Sequence, residues 1–291
     1  MRQITSPANP YVKAARRLRR RRQRERSGLC LLEGPRLIGD AWQHGGRFEQ
    51  VFVTEDVLAH PEHRPWIQAM ERAGVWVAQV SPQVLAGLSH TVTPQGMVAV
   101  VHQPRRPLPP SPWMVLILDG LQDPGNAGTL IRSAAAAGAD GVLFGPGSVD
   151  PYNEKVLRAA MGAHFRLPVL SLDGWESLWD VLGSPRPLYI ADSAGHVVYD
   201  RVDWTQPGAL VVGGEARGPS TPVRAMGLSV AIPMARDTES LNAAVAGSVI
   251  LFEAARQRRR ARPRTPATDP DPSSQRSGVE PGRDTGRGRP N

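Results

Sequence analysis

Apolar positions along the chain fall into short bunches with two different spacings, separated by polar or glycine- and proline-bearing breaks. Residues 29–33, 50–54, 75–80 and 97–101 are brief apolar runs, the last three with β-branched side chains, and predict strands. Residues 35–42 and 66–73 carry apolar positions at helical spacing, and Gly74 closes the second. Strands alternating with helices predict a small α/β domain over residues 27–102. Ahead of it, residues 11–26 contain no Gly or Pro and suit a helix, with a thin apolar stripe of Val12, Ala15 and Leu18. Residues 103–112 hold five prolines in ten positions, which predicts an extended, semi-rigid linker.

The alternation resumes at Trp113. Strands are expected at 114–118, 141–144, 167–170, 188–191, 209–212 and 228–232, and helices at 127–137, 154–161, 175–182 and 240–257. Val115-Leu116-Ile117-Leu118 is apolar on both faces, as a parallel strand covered by helices requires. The expectation for 113–260 is a doubly wound α/β domain with a parallel sheet. After Arg262 the apolar residues thin out and Pro, Gly, Ser, Asp and Arg take over, which predicts a disordered tail over 261–291.

Charge changes this picture at the two ends. Residues 1–26 hold ten basic side chains and one acidic, a net +9, and residues 256–291 hold ten basic and four acidic, a net +6. The stretch between carries a net −7, so the basicity of the chain sits outside its mildly acidic body. Basic termini of this kind point to nucleic acid, through counterion release from phosphates. Only Lys13 and Lys155 are lysines, so a compositional preference for arginine is the competing explanation. No run reaches the ~18 apolar residues of a membrane helix, and the Arg-rich N-terminus lacks the apolar core of a signal peptide. The single cysteine, Cys30, excludes a disulfide within the chain and a cysteine-cluster zinc site. Its neighbours Leu29, Leu31 and Leu32 predict a buried structural thiol. A cytoplasmic, reducing setting is expected.

Candidate chemistry gathers at strand ends. Asp119–Gly125 follows the first strand of the second domain, the place where α/β sheets collect ligands. Asn126 is positioned to cap the next helix, and Arg132 lies within that helix among Leu130, Ile131 and Ala134. A plain cap and a solvated charge are the bland readings of these two. Gly213-Gly214-Glu215-Ala216-Arg217-Gly218 follows an apolar run, and Ile232-Pro233-Met234 and Ser240-Leu241-Asn242 come soon after. The glycine spacing is Gly-Gly-x-x-x-Gly, not the G-x-G-x-x-G of a dinucleotide turn, and no P-loop pattern occurs. Ser240 on its own reads equally as the cap of the last helix. His164, a lone histidine before a strand, reads as structural ahead of catalytic.

In this order, the three motifs resemble those of SpoU-type (TrmH-like, SPOUT-class) RNA ribose 2′-O-methyltransferases, over roughly residues 114–256. Residues 5–101 more weakly resemble that family's N-terminal RNA-substrate domain, an L30e-like α/β unit, with Thr93-Pro94-Gln95-Gly96 where its closing motif falls. The resemblance implies a parallel sheet closed by a C-terminal trefoil knot, S-adenosylmethionine as cofactor, no metal, and a homodimer formed through the last helix. It implies that Asn126, Arg132, Glu215, Ser240 and Asn242 form the catalytic group, with Arg132 serving activation of the ribose hydroxyl. Gly213, Gly214, Gly218, Ile232, Met234 and Leu241 correspond to cofactor-binding positions. Ribosomal RNA, 23S above all, is the favoured substrate because of the extra N-terminal domain. A tRNA 2′-O-methyltransferase of the same class and a catalytically silent RNA-binding protein are the alternatives. A nicotinamide-dependent oxidoreductase lacks the glycine spacing it needs.

Overall fold

A computed structural model describes residues 1–261 apart from His90, Val92, Ala216 and Asp237. The expected tail lies outside the described residues. The first unit runs β1 (Arg2–Ile4), α1 (Pro10–Arg17), α2 (Arg21–Ser27), β2 (Leu29–Glu33), α3 (Pro35–Gln43), β3 (Phe48–Val53), α4 (Glu55–Ala59), α5 (Arg64–Arg72), β4 (Trp76–Val80), α6 (Pro82–Leu88) and β5 (Met97–His102). Its five strands lie in the order β1-β4-β3-β5-β2, with β5 antiparallel to both neighbours and the other pairs parallel.

The basic segment is not one weak helix. It breaks at residues 18–20 into α1 and α2, and Val12, Ala15 and Leu18 are buried in the same core as Ile4, Phe52 and Leu85. Burial of that thin stripe, ~1.5–3 kcal/mol for each large apolar side chain, supplies the partner that the isolated helix lacked. Arg16, Arg17, Arg20, Arg21, Arg22 and Arg26 stay exposed, whereas Arg24 is 3% exposed.

The second unit runs β6 (Met114–Asp119), α7 (Pro124–Ala137), β7 (Gly141–Phe144), α8 (Glu154–Ala160), β8 (Val169–Ser171), α9 (Leu178–Leu182), β9 (Leu188–Ala191), β10 (Val197–Val198), β11 (Gly208–Gly213), α10 (Thr221–Met226), β12 (Leu228–Ala231) and α11 (Ala243–Ala261). The seven strands are all parallel, in the order β10-β12-β9-β11-β6-β7-β8. This is the parallel α/β sheet that the doubly apolar runs predict. Two clusters cover its faces. One joins Leu116, Leu118, Leu130 and Ile131 to Ile250 and Leu251 of α11, and the other joins Val115 and Ile117 to Leu178, Leu182 and Ile190.

The two units also share a core between them. Tyr152, Leu157 and Phe165 of the second unit pack with Cys30, Leu32, Leu37 and Ile38 of the first. Burial pushes the Cys30 thiol up to about 12, which fits the structural role expected of it. The proline-rich segment is tied to both sides: the Tyr152 hydroxyl donates to the Pro104 carbonyl at 3.0 Å, and Gln103 Nε2 donates to the Leu29 carbonyl at 3.2 Å. The linker is therefore a clasp as well as a spacer.

Candidate active site

The carboxyl ends of β9, β11 and β12 and the start of α11 border one cavity of about 470 Å3. At its edge β11 runs into the loop 213–218, and this loop is built on close backbone approach. A Cβ on Gly213 would sit 2.4 Å from the Pro219 nitrogen, and one on Gly214 would sit 2.5 Å from the Gly120 carbonyl oxygen. Only glycine fits either place. The loop is pinned from β6: the Gly214 amide donates to the Asp119 carbonyl at 2.9 Å, and the Ser220 amide donates to the Asp119 carboxylate at 2.6 Å. Asp119 is 2% exposed, so those two bonds decide where the loop lies.

All six positions expected to bind cofactor, Gly213, Gly214, Gly218, Ile232, Met234 and Leu241, line this cavity, as do Glu215, Ser240 and Asn242. Asn126 joins them from α7. Its Nδ2 donates to Glu215 Oε1 at 2.7 Å, and its Oδ1 accepts from Asn242 Nδ2 at 3.1 Å. Three segments far apart in sequence thus meet in one hydrogen-bonded chain, Asn242–Asn126–Glu215.

The capping roles fall differently from the sequence reading. Asp123 caps α7, its carboxylate accepting the Asn126 amide at 2.7 Å, so the Asn126 side chain is released to reach across the site. Asn242, not Ser240, caps α11, which begins at Ala243: Asn242 Oδ1 accepts the amides of Ala244 at 2.9 Å and Val245 at 3.2 Å. In both cases a second N-cap type stands two or three residues from the one expected, and sequence does not choose between them.

Arg132 is the one expected site residue that the structure does not join to the others. It lies exposed on α7, outside the cavity lining, with no hydrogen bond or ion pair among the described residues. His164 is buried, and its Nε2 lies 2.8 Å from the Pro151 carbonyl, to which it donates. Burial pulls its pKa down to about 4, so it is neutral near pH 7 and outside the cavity lining, consistent with the structural reading.

The sequence reading placed Asp119 in a ligand-collecting segment without giving it a role, and did not single out Asp192 or Arg224. Asp192 and Arg224 line the cavity and form an ion pair with each other. The available signal was position: Asp119 closes the strand β6, and Asp192 directly follows β9. Among the described residues no cluster of three or more His, Cys, Asp or Glu has the arrangement of a metal site, and no helix is long and apolar enough to cross a membrane.

Residues 113–252 match the family model described as SpoU rRNA Methylase family, and residues 9–99 match the MRM3-like substrate binding domain. The 23S rRNA (guanosine(2553)-2′-O)-methyltransferase RlmP of Bacillus subtilis is 31% identical over 253 residues, covering 87% of this chain and 98% of that protein. Among solved structures, the SpoU methyltransferase AviRb from Streptomyces viridochromogenes in complex with AdoMet superposes with a TM-score of 0.77 at 31% identity, covering 87% of this chain and all of that one. The AdoMet-bound rRNA methyltransferase from Sinorhizobium meliloti gives a TM-score of 0.77 at 29% identity, over 88% of this chain and 97% of that one.

Proposed function

The chain belongs to the SpoU rRNA methylase family, and we propose that it transfers a methyl group from S-adenosylmethionine to a ribose 2′-hydroxyl of 23S ribosomal RNA. The observation that carries this reading is the Asn242–Asn126–Glu215 chain at a cavity lined by every expected cofactor position. The residues fit the cofactor: Val230, Ile232, Leu241 and Ile250 offer apolar walls for a purine, and the 213–218 loop offers backbone groups at its edge.

When bound, the cofactor supplies an electrophilic methyl on a sulfonium. The protein's task is then to hold the hydroxyl in line and ease loss of its proton. Asn242 holds Asn126, Asn126 holds the Glu215 carboxylate, and Glu215 would be the group to accept the hydroxyl's proton. Arg132 brings a guanidinium, with donors and no acceptor. It serves as the cation for the developing alkoxide and the neighbouring RNA phosphate, and its exposure leaves it free to meet RNA.

The remaining partners follow from surfaces. The exposed arginines of α1 and α2, next to the substrate-domain core, support RNA contact by the first unit. On α11, Val245 is 49% and Phe252 45% exposed, and the two, seven residues apart, form an apolar stripe that supports a homodimer through this helix. The trefoil knot belongs to the same reading, supported by the return of α11 onto β11 and α7 after β12 has left for the far side of β9.

Transfer of radiolabelled methyl from S-adenosylmethionine to isolated RNA fractions tests the proposal. Label recovered as a 2′-O-methyl nucleoside in 23S RNA, and lost in Arg132→Ala, is the expected result. Label confined to tRNA would keep the chemistry and overturn the substrate. Cofactor binding with no transfer to any RNA would favour a catalytically silent RNA-binding protein.

A further inference from the structure

The cavity carries a charged pair that the proposed chemistry does not use. Asp192 ends the β9 side of the cavity and is 11% exposed in its side chain; Arg224 of α10 pairs with its Oδ2. The Ala194 amide donates to Asp192 Oδ1 at 3.1 Å, and Arg224 Nε donates to the Pro219 carbonyl at 3.2 Å. The carboxylate is therefore held in place from two sides, and the pair stands apart from the Asn242–Asn126–Glu215 chain. A carboxylate has about four acceptor positions, and two of those on Asp192 are engaged by these bonds.

A nucleoside entering this cavity brings two ribose hydroxyls that lose water on binding. Left without acceptors they cost free energy. The apolar walls offer none, and Glu215 is committed to Asn126. Asp192 is the other carboxylate of the lining, and it sits just beyond a parallel strand, the position from which acidic side chains bind ribose hydroxyls in other α/β folds. We propose that Asp192 reads the ribose of the cofactor by accepting a hydrogen bond from one or both of its hydroxyls, and that Arg224 positions Asp192 for this task. The inference rests on the cofactor reading above and extends it to a residue that none of the three motifs contains.

A plain structural latch between β9 and α10 predicts something different. Loss of a latch weakens every ligand of the cavity alike, whereas loss of a ribose acceptor weakens only ligands that carry the hydroxyl. The test is calorimetric titration of the intact protein with S-adenosylhomocysteine and with its 2′-deoxy and 3′-deoxy counterparts, in wild type and in Asp192→Ala. In wild type, removal of at least one hydroxyl is expected to weaken binding on the order of tenfold to a hundredfold, as for a hydrogen bond to a charged group. In Asp192→Ala the full ligand and that deoxy counterpart are expected to bind within about twofold of each other. Equal affinities in wild type, or discrimination that survives in the variant, overturns the proposal and leaves the cofactor reading intact. Failure of wild type to bind S-adenosylhomocysteine at all overturns both. If Asp192→Ala does not fold, Asp192→Asn takes its place: discrimination reduced severalfold supports the proposal, and unchanged discrimination overturns it.

Discussion

Asn126 Nδ2 and Glu215 Oε1 lie 2.7 Å apart across 89 residues of sequence, and Asn242 closes on the same asparagine from a third segment. An amide that donates to one partner and accepts from the other is a relay that orients both. Replacing Asn126 with Ala removes the relay without touching the cavity walls. The turnover rate is expected to fall on the order of a hundredfold, as for the loss of one preorganised polar group in other active sites, while affinity for S-adenosylmethionine stays within about threefold. Single-turnover methyl transfer paired with calorimetric cofactor titration checks both parts. A fall in affinity equal to the fall in rate would assign Asn126 to cofactor binding.

Asp119 should show the opposite split. Its buried carboxylate accepts the Ser220 amide at 2.6 Å, and this bond fixes the far end of the cofactor loop. Asp119→Ala leaves that amide without its acceptor and is expected to cost about 1–3 kcal/mol of stability, with cofactor affinity weakened in step. Chemical unfolding with and without saturating cofactor measures the two together. An unchanged cofactor affinity would show that the loop keeps its shape without this anchor.

Both residues show how far the sequence could be read. The parallel sheet was legible because Val115-Leu116-Ile117-Leu118 is apolar on both faces, and the lining positions were legible because Gly213-Gly214 and Ser240-Leu241-Asn242 stand in the order of the family's motifs. Asp119 was not, because an acid after a strand carries no pattern of its own; only the fold brings Ser220 to it. The elements β1, β10, α4, α6 and α10 were missed for a related reason. Each is seven residues or shorter, too short for a period to declare itself, and is held by its neighbours more than by its own preference.

Arg24 is the sharpest divergence. By sequence it is one of ten basic side chains in a nucleic-acid-binding segment; in the fold its guanidinium is buried across the junction of the two units. Nε donates to Asp150 Oδ2 at 2.8 Å, Nη2 pairs with the same oxygen, and Nη1 donates to the carbonyls of Leu18 and Arg19 at 2.8 Å each. Lysine cannot reproduce this fork. Arg24→Met strands the Asp150 carboxylate, 12% exposed, and is expected to destabilise the protein by about 3–5 kcal/mol. Urea unfolding followed by tryptophan fluorescence measures the loss. Arg24→Met with wild-type stability and reduced RNA affinity would return Arg24 to the RNA-binding face.

The apolar face of α11 gives a prediction about assembly. Val245 and Phe252 are about half exposed, seven residues apart on one side of the helix. Phe252→Glu places a charge in any interface formed there. Light scattering after size exclusion is expected to give a dimer for wild type and a monomer for the variant. A monomeric wild type at micromolar concentration would remove the homodimer from the reading.

His164 sets a pH dependence whose sign can be worked out. Burial lowers its folded pKa to about 4, below the ordinary value of about 6.5 that the unfolded chain retains. Between those values the unfolded chain binds the proton and the folded one does not, so acid favours unfolding. The stability tied to the neutral imidazole is complete above pH ~6.5, is lost progressively as pH falls toward ~4, and amounts to roughly 3 kcal/mol across that window. His164→Gln keeps a polar group near the Pro151 carbonyl but cannot titrate. Its stability at pH 7 is expected to be lower than wild type, and its fall between pH 7 and pH 4 shallower. Urea midpoints measured at steps across this range decide the matter: parallel wild-type and variant curves would mean that His164 takes up its proton in the folded state, and the buried contact with Pro151 would then have to tolerate an imidazolium.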